Sequence, residues 1–168
     1  MGGNDTVITC RTDSGLDVGH IREIFLEGAY HTCFDSKNVI DIGMSNGESA
    51  IYFAKAGAKK VVGIESTMES FDLAMESIKD SKVQGTVVAL NKAMGIKNGF
   101  ADFFMSGYSP NGNSLDKANM VDLTGRMEFK RIVETITLES VFKLWFFRQY
   151  CGMNINHIDT SLFLMYPG

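Results

Sequence analysis

Three short runs of apolar, mostly β-branched residues lie in the middle of the chain. They occupy residues 39–43, 60–65 and 85–90. Each run has the length and composition of a buried parallel strand. The segments between them show the three- and four-residue apolar spacing of helices. This alternation predicts an α/β fold in which a parallel sheet carries helices packed on its faces.

Polar residues and glycines predict the ends of the two intervening helices. Asn46 is placed to cap the first helix, and Gly57 is placed to end it. Residues 66–69, Ser-Thr-Met-Glu, have the form of a capping box for the second helix. The predicted apolar face of that second helix consists of Phe71, Ala74, Met75 and Ile78.

The flanking segments predict further elements. These are a short strand at 7–10, a helix at 17–28, strands at 100–105 and 127–137, and a helix at 140–150. We expect the two later strands to form an antiparallel β-excursion.

The length of 168 residues predicts a single domain. Its parts are an N-terminal extension with a helix at 1–35, a βαβαβ half at 36–95, and the β-excursion with a C-terminal helix and strand at 96–168. A hydrophobic fraction of 45% and a charged fraction of 21% exclude a disordered chain.

Charge and cysteine usage narrow the partners and the compartment. The 16 basic and 20 acidic residues give a net charge of −4, and the basic residues are scattered, so we expect no nucleic-acid binding. No apolar window reaches the ~20 residues of a membrane span, and no secretory signal is visible. Three cysteines without close pairs predict a reduced, cytoplasmic protein and no metal site.

The segment from Asp41 to Glu48 carries the candidate chemistry. A strand ends there, a loop with Gly43 and Gly47 turns, and a helix begins, which is where ligands bind in open α/β sheets. The spacing is G-x-x-x-G rather than the dinucleotide pattern G-x-G-x-x-G, and Glu48 would repel a pyrophosphate. The loop therefore predicts a nucleoside ligand without phosphates. A nicotinamide-dependent oxidoreductase is the weaker alternative.

Glu65 supports the nucleoside interpretation. It closes the second strand 24 positions after Asp41, and a carboxylate there can accept hydrogen bonds from both ribose hydroxyls. The alternative is a solvated acidic residue at the start of a helix.

Several separate motifs resemble one known family. They are the D-x-G-x-x-x-G loop at 41–47, the acidic Glu65, the N-x-A segment at 91–93, an F-x-x-G-x-Y element at 25–30, and a segment at 134–141 similar to T-I-T-L-D-x-V. Together they resemble the FkbM family of class I S-adenosylmethionine-dependent methyltransferases over roughly residues 12–143.

The resemblance implies a Rossmann-like sheet, incomplete after about its fourth strand, that binds S-adenosyl-L-methionine. The implied cofactor-binding residues are Asp41, Gly43, Met44, Ser45, Asn46, Gly47, Glu65, Ser66, Thr67, Asn91 and Ala93. It also implies methyl transfer, most readily to an oxygen of an unidentified small-molecule or glycan-like acceptor.

The sequence assigns no general base. The candidates by position are Asp159, Tyr30, His20 and His31. Each is better explained as a solvated or packing residue.

The C-terminal residues depart from the family. Met165 and Pro167 stand where the family has an aspartate and a glutamate, near its methyl-transfer pocket. We therefore expect a truncated or frame-shifted product, or a fold completed by a partner chain or in a homo-oligomer. The alternative function is a non-catalytic cofactor-binding fragment.

Overall fold

A computed structural model describes residues 5–12, 15–30, 32–106, 113–115, 128–145 and 162–165. The helices in these ranges are α1 (Leu16–Phe25), α2 (Glu48–Lys55), α3 (Met68–Asp80) and α4 (Leu138–Trp145). The strands are β1 (Asn38–Ile42), β2 (Lys60–Glu65), β3 (Val87–Asn91), β4 (Ala93–Met94), β5 (Gly99–Ser106), β6 (Glu128–Ile136) and β7 (Leu162–Met165).

The main sheet has the strand order β3-β2-β1-β7, and every pair is parallel. Residue 41 lies opposite Gly63, and Glu65 lies opposite Asn91, so the carboxyl ends of three strands meet at one edge. The predicted α/β fold is confirmed. Strand β7 pairs with β1 on the side opposite β2.

Each face of the main sheet packs against its own set of elements. Val39 and Val61 join α2 and α3 side chains such as Ile51 and Ala74 in one buried cluster. On the opposite face, Ile40 and Val62 pack with Ile136 and with Val141 of α4. Side chains alternate between the faces along a strand, so Asp41 and Glu65 lie on the face covered by α2 and α3.

A second sheet has the order β4-β6-β5. Strands β5 and β6 pair antiparallel along their whole described length, from Gly99 opposite Thr135 to Ser106 opposite Glu128. This confirms the predicted β-excursion and its antiparallel pairing.

The N-terminal strand predicted at 7–10 is wrong. The backbone N–H of Val7 donates to Ser81 Oγ at 2.9 Å, and the N–H of Thr9 donates to Ser77 Oγ at 2.9 Å. The segment therefore lies along α3 and satisfies its backbone through serine side chains, and no described strand pairs with it.

The caps predicted at the N-termini of α2 and α3 are also wrong. Gly47, with φ 86°, precedes α2 in place of Asn46, and Thr67 precedes α3 without a side-chain capping bond. On α3 Ala74 and Ile78 are buried as predicted, but Met75 is 47% exposed. The helix predicted at 140–150 begins at Leu138, and its last five residues lie outside the described ranges.

Among the helices of the described ranges, none has the length and apolar character needed to cross a membrane.

Candidate cofactor-binding site

The loop between β1 and α2 turns through three residues with positive φ. Gly43 has φ 83°, Ser45 has φ 48° and Gly47 has φ 86°. Glycine adopts this conformation without steric cost. At position 47 a Cβ would also lie 3.3 Å from the backbone of Ala74. Glycine there lets the loop lie directly against α3.

The backbone N–H groups of this loop donate within the protein. Gly43 and Met44 donate to the carbonyl of Ile64 at 2.8 and 3.1 Å, and Gly47 donates to the carbonyl of Met44 at 2.8 Å. Ser45 donates to Glu65 Oε2 at 3.1 Å. A pyrophosphate cradle needs such groups directed at the ligand, so these four N–H groups are not available to a pyrophosphate.

Glu65 is buried at the carboxyl end of β2 and is held from two sides. Its Oε1 accepts both the backbone N–H and the hydroxyl of Thr67 at 2.8 Å, and its Oε2 accepts the N–H of Ser45. Burial raises the pKa of this carboxyl, against the opposing effect of these bonds. A carboxylate has about four acceptor positions, and the described residues fill three of them, so one position on Oε2 has no described donor.

Asp41 is 1% exposed and ends the buried part of β1. Ser49 of α2 donates its hydroxyl to Asp41 Oδ2 at 2.7 Å. Burial raises the pKa of Asp41 to about 7, and the nearby charges of Glu48 and Glu65 act in the same direction.

Glu48 is the first residue of α2. From the sequence alone, its charge predicts only that it would repel a pyrophosphate. It is buried, and its Oε1 lies 3.5 Å from His20 Nδ1. Its Oε2 is buried without a hydrogen-bond partner among the described residues. Nothing in the sequence pattern distinguishes this glutamate from a solvated one.

The remaining predicted site residues differ in how far their side chains are buried and in whether they bond to the protein itself. The side chain of Met44 is fully buried in the core, so only the backbone of this loop residue could contact a ligand. Asn91 donates its side-chain N–H to the carbonyl of Glu65 at 3.0 Å. Ser66 is half-buried, and Ala93 is buried in β4 of the second sheet.

Asn46 belongs to a polar network that the sequence did not reveal. Its amide donates to Asp17 Oδ2, and its Oδ1 accepts from Arg11 at 3.2 Å. Arg11 also donates to Asp17 and to the hydroxyl of Ser70. Although burial raises the pKa of Asp17, the hydrogen bonds from Arg11 and Asn46 hold it below its ordinary value.

Two of the four candidates for a general base lie in the part of the chain that the structure describes. Burial, and then the charges of Asp41 and Glu48, raise the pKa of Tyr30 to about 12, which disfavours this phenol as a base. The hydrogen bond to Glu48 raises the pKa of His20. His31 and Asp159 lie outside the described residues.

In the parts of the chain that the structure describes, no three His, Cys, Asp or Glu side chains are grouped so as to hold a metal ion.

No protein-family model matches the chain, so membership of the FkbM family stays a prediction. Several solved structures are similar to part of it. Protein arginine methyltransferase 10 of Arabidopsis thaliana is 30% identical over 44% of this chain and 20% of its own, with a TM-score of 0.35. A Listeria monocytogenes protein, described as an S-adenosylmethionine-dependent methyltransferase, is 28% identical over 48% of this chain and 37% of its own, with a TM-score of 0.37.

A third similar structure is the Trypanosoma brucei PRMT1 enzyme–prozyme heterotetrameric complex with AdoHcy. It is 28% identical over 46% of this chain and 25% of its own, with a TM-score of 0.37. The matched part of this chain thus spans well under half the length of each of these proteins. The fold assignment rests on the strand order and register of the chain itself.

Proposed function

We propose that this chain binds S-adenosyl-L-methionine across the carboxyl ends of β1, β2 and β3, and transfers its methyl group to an oxygen of a small-molecule or glycan-like acceptor. The observation that carries the proposal is the buried Glu65 carboxylate beside a glycine loop, in which described donors fill three of about four acceptor positions. A ribose hydroxyl is the partner that suits the remaining position.

The charge around the loop fits this cofactor. Asp41, Glu48 and Glu65 are all buried next to or within reach of the loop, and four loop N–H groups are already bonded. Such a site disfavours phosphates and favours a nucleoside that carries positive charge. The cofactor has an ammonium and a sulfonium group, and it supplies an electrophilic methyl group when bound.

The residues divide between the parts of the cofactor as the sequence motifs imply. In the proposal, residues 41–47 lie along the methionine portion, Glu65 holds a ribose hydroxyl, and Ser66, Asn91 and Ala93 lie toward the adenine. The contribution of the chain is orientation, because displacement at a sulfonium needs positioning more than covalent catalysis.

One observation favours a second candidate, binding without methyl transfer. Residue 165 of β7 lies opposite Asp41 in the register of the sheet. The resembling family has an acidic residue at this position, and this chain has methionine. Position 165 therefore lacks the carboxylate that the resemblance implies for catalysis.

Calorimetric titration tests the cofactor. We expect S-adenosylmethionine and S-adenosylhomocysteine to bind, and NAD and ATP not to bind. Glu65→Gln should weaken binding by about tenfold or more, since it removes a charge-assisted hydrogen bond. Glu76→Gln, at an exposed position of α3, is the matched control. No binding of either cofactor form at about 1 mM would refute the proposal, and retention of NAD would favour the oxidoreductase.

Transfer is tested separately with methyl-labelled cofactor and pools of polar small molecules and glycans. Label recovered in an acceptor supports the enzyme. A cofactor that binds and is not consumed supports the non-catalytic candidate.

We also propose that the chain acts in a homo-oligomer or with a partner chain, and that it is cytoplasmic. The Trypanosoma brucei relative was solved as a heterotetramer, and the cysteine spacing of this chain is typical of a reduced compartment. Light scattering after size-exclusion chromatography tests the first point, and cell fractionation tests the second.

A further inference from the structure

Glu48 combines deep burial with an unsatisfied carboxylate oxygen. The residue is 3% exposed, its Oε1 lies 3.5 Å from His20 Nδ1, and its Oε2 has no hydrogen-bond partner among the described residues. Buried polar atoms are almost always hydrogen-bonded, because leaving them unpaired costs their full desolvation. No described residue satisfies this oxygen, so it is free of the described chain to accept a hydrogen bond from a bound ligand.

The groups around Glu48 indicate the charge of that partner. Its negative charge reaches the carboxyls of Asp41 and Glu65 and the phenol of Tyr30, and it contributes to the raised pKa of each. The guanidinium of Arg11 is bonded to Asp17, Asn46 and Ser70. An anionic partner is thus disfavoured, and a cationic donor is favoured.

The position of Glu48 in the chain indicates which part of the ligand it meets. It follows Gly47 directly, at the opposite end of the glycine loop from Asp41. Ser45, in the middle of the same loop, donates to Glu65. If Glu65 holds the ribose, the cofactor's amino-acid portion runs along the loop, and the portion's α-ammonium group is the cation available to Glu48.

We infer that Glu48 Oε2 is the acceptor for the α-ammonium group of the cofactor's methionine portion, an inference that rests on the proposed function. An ammonium group has three N–H donors and a full positive charge, so a charge-assisted hydrogen bond to the buried oxygen satisfies both groups. Glu48 is then a specificity-determining residue that distinguishes the amino-acid nucleoside from nucleosides without an amine.

Two ligands separate this role from a merely structural one. They are S-adenosylhomocysteine and its deamino analogue, in which hydrogen replaces the α-ammonium group. We expect the unaltered protein to bind S-adenosylhomocysteine about ten- to a hundredfold more tightly than the analogue. Glu48→Gln should remove that preference by weakening S-adenosylhomocysteine alone, so that both ligands bind with similar affinity.

Two control variants calibrate the result. Glu65→Gln should weaken both ligands by the same factor, because both carry the ribose. Glu23→Gln, at an exposed position of α1, should change neither affinity. A thermal melt of each variant confirms that it is folded, and the comparison of the two ligands on the unaltered protein needs no variant at all.

The outcomes are distinguishable. Equal affinity of the unaltered protein for the two ligands would overturn the assignment of Glu48 while leaving the proposed function standing. Equal weakening of both ligands by Glu48→Gln would overturn it as well, since Glu48 would then act by shaping the loop. If neither ligand binds the unaltered protein, the proposed function itself fails.

Discussion

The side chain of Met44 fills the space that a Cβ at Gly63 would need, so the glycine loop and strand β2 fit together only because position 63 has no side chain. Met44 is fully buried. The loop is therefore anchored from within the core as well as by its backbone hydrogen bonds to Ile64.

Gly63→Ala should destabilise the protein by about 1–3 kcal/mol, because the added methyl group overpacks against Met44. Urea unfolding measures the change. Gly85→Ala is the matched control, since a Cβ there meets nothing within 4 Å, and it should change stability by less than about 0.5 kcal/mol. Combining Gly63→Ala with Met44→Ala should cost less than the sum of the single changes. Additive costs would mean that the two residues do not compete for space.

The main sheet and the centre of the site were predictable because their determinants are local. The β-branched runs, the two loop glycines and Glu65 each follow from a short stretch of sequence, and the register brings the strand ends together. The antiparallel excursion was predictable for the same reason. Helix starts were not, because Asn46 bonds to Asp17 and Arg11 across the fold instead of capping α2.

Long-range polar contacts account for most of what sequence reasoning missed. The segment 7–10 begins with the β-branched residues typical of a strand, but Ser77 and Ser81, about 70 residues away, supply its hydrogen bonds. Glu48 Oε1 lies 3.5 Å from His20 Nδ1 of α1, so the surroundings of this carboxylate depend on how α1 and α2 pack together. The spacing of apolar residues assigned Met75 to the buried face of α3, but its side chain is exposed. The buried face of this helix is therefore narrower than its row of apolar residues indicates.

Arg11 links the N-terminal segment to the glycine loop, and its removal should be costly. Arg11→Ala leaves the buried Asp17 without its guanidinium partner, so we expect a loss of about 3 kcal/mol in urea unfolding. Arg11→Lys should recover only part of this, because an ammonium cannot reproduce the forked donors.

The matched control for Arg11 is Arg22→Ala. Arg22 pairs with Glu27, but both side chains are more than half exposed. Exposed ion pairs contribute about 0–1 kcal/mol. Similar losses for the two variants would mean that the Arg11 network adds nothing beyond an ordinary surface pair.

Thr67 orients the Glu65 carboxylate through its hydroxyl, in addition to its backbone N–H. Thr67→Val removes the hydroxyl while keeping the side-chain shape. We expect S-adenosylhomocysteine to bind about three- to tenfold more weakly, because Glu65 loses one of the bonds that fix its orientation. Calorimetry measures the affinity, and Thr67→Ser should restore it. An unchanged affinity in Thr67→Val would show that the backbone N–H alone holds Glu65.

The buried carboxyl of Asp41 should make stability depend on pH. Burial raises its pKa to about 7 in the folded protein, whereas an unfolded aspartate titrates near 4. Between these values the folded state holds a proton that the unfolded state has lost, so the free energy of unfolding falls as pH rises through this window. Asp41→Asn carries no titrating proton and still accepts the hydrogen bond from Ser49.

The comparison with Asp41→Asn isolates this contribution from other carboxyls. Urea unfolding at intervals from pH 4 to 8 measures the free energy of unfolding of both proteins. Relative to the unaltered protein, the value for Asp41→Asn should increase over this range by on the order of a few kcal/mol. Most of the gain should fall below pH 7, because above that value Asp41 is ionised in both states. Asp80→Asn changes an exposed position, so its free energy of unfolding should vary with pH in the same way as that of the unaltered protein. Parallel curves for Asp41→Asn would show that Asp41 is ionised throughout, and that the acidic centre of the site is more solvated than its burial indicates.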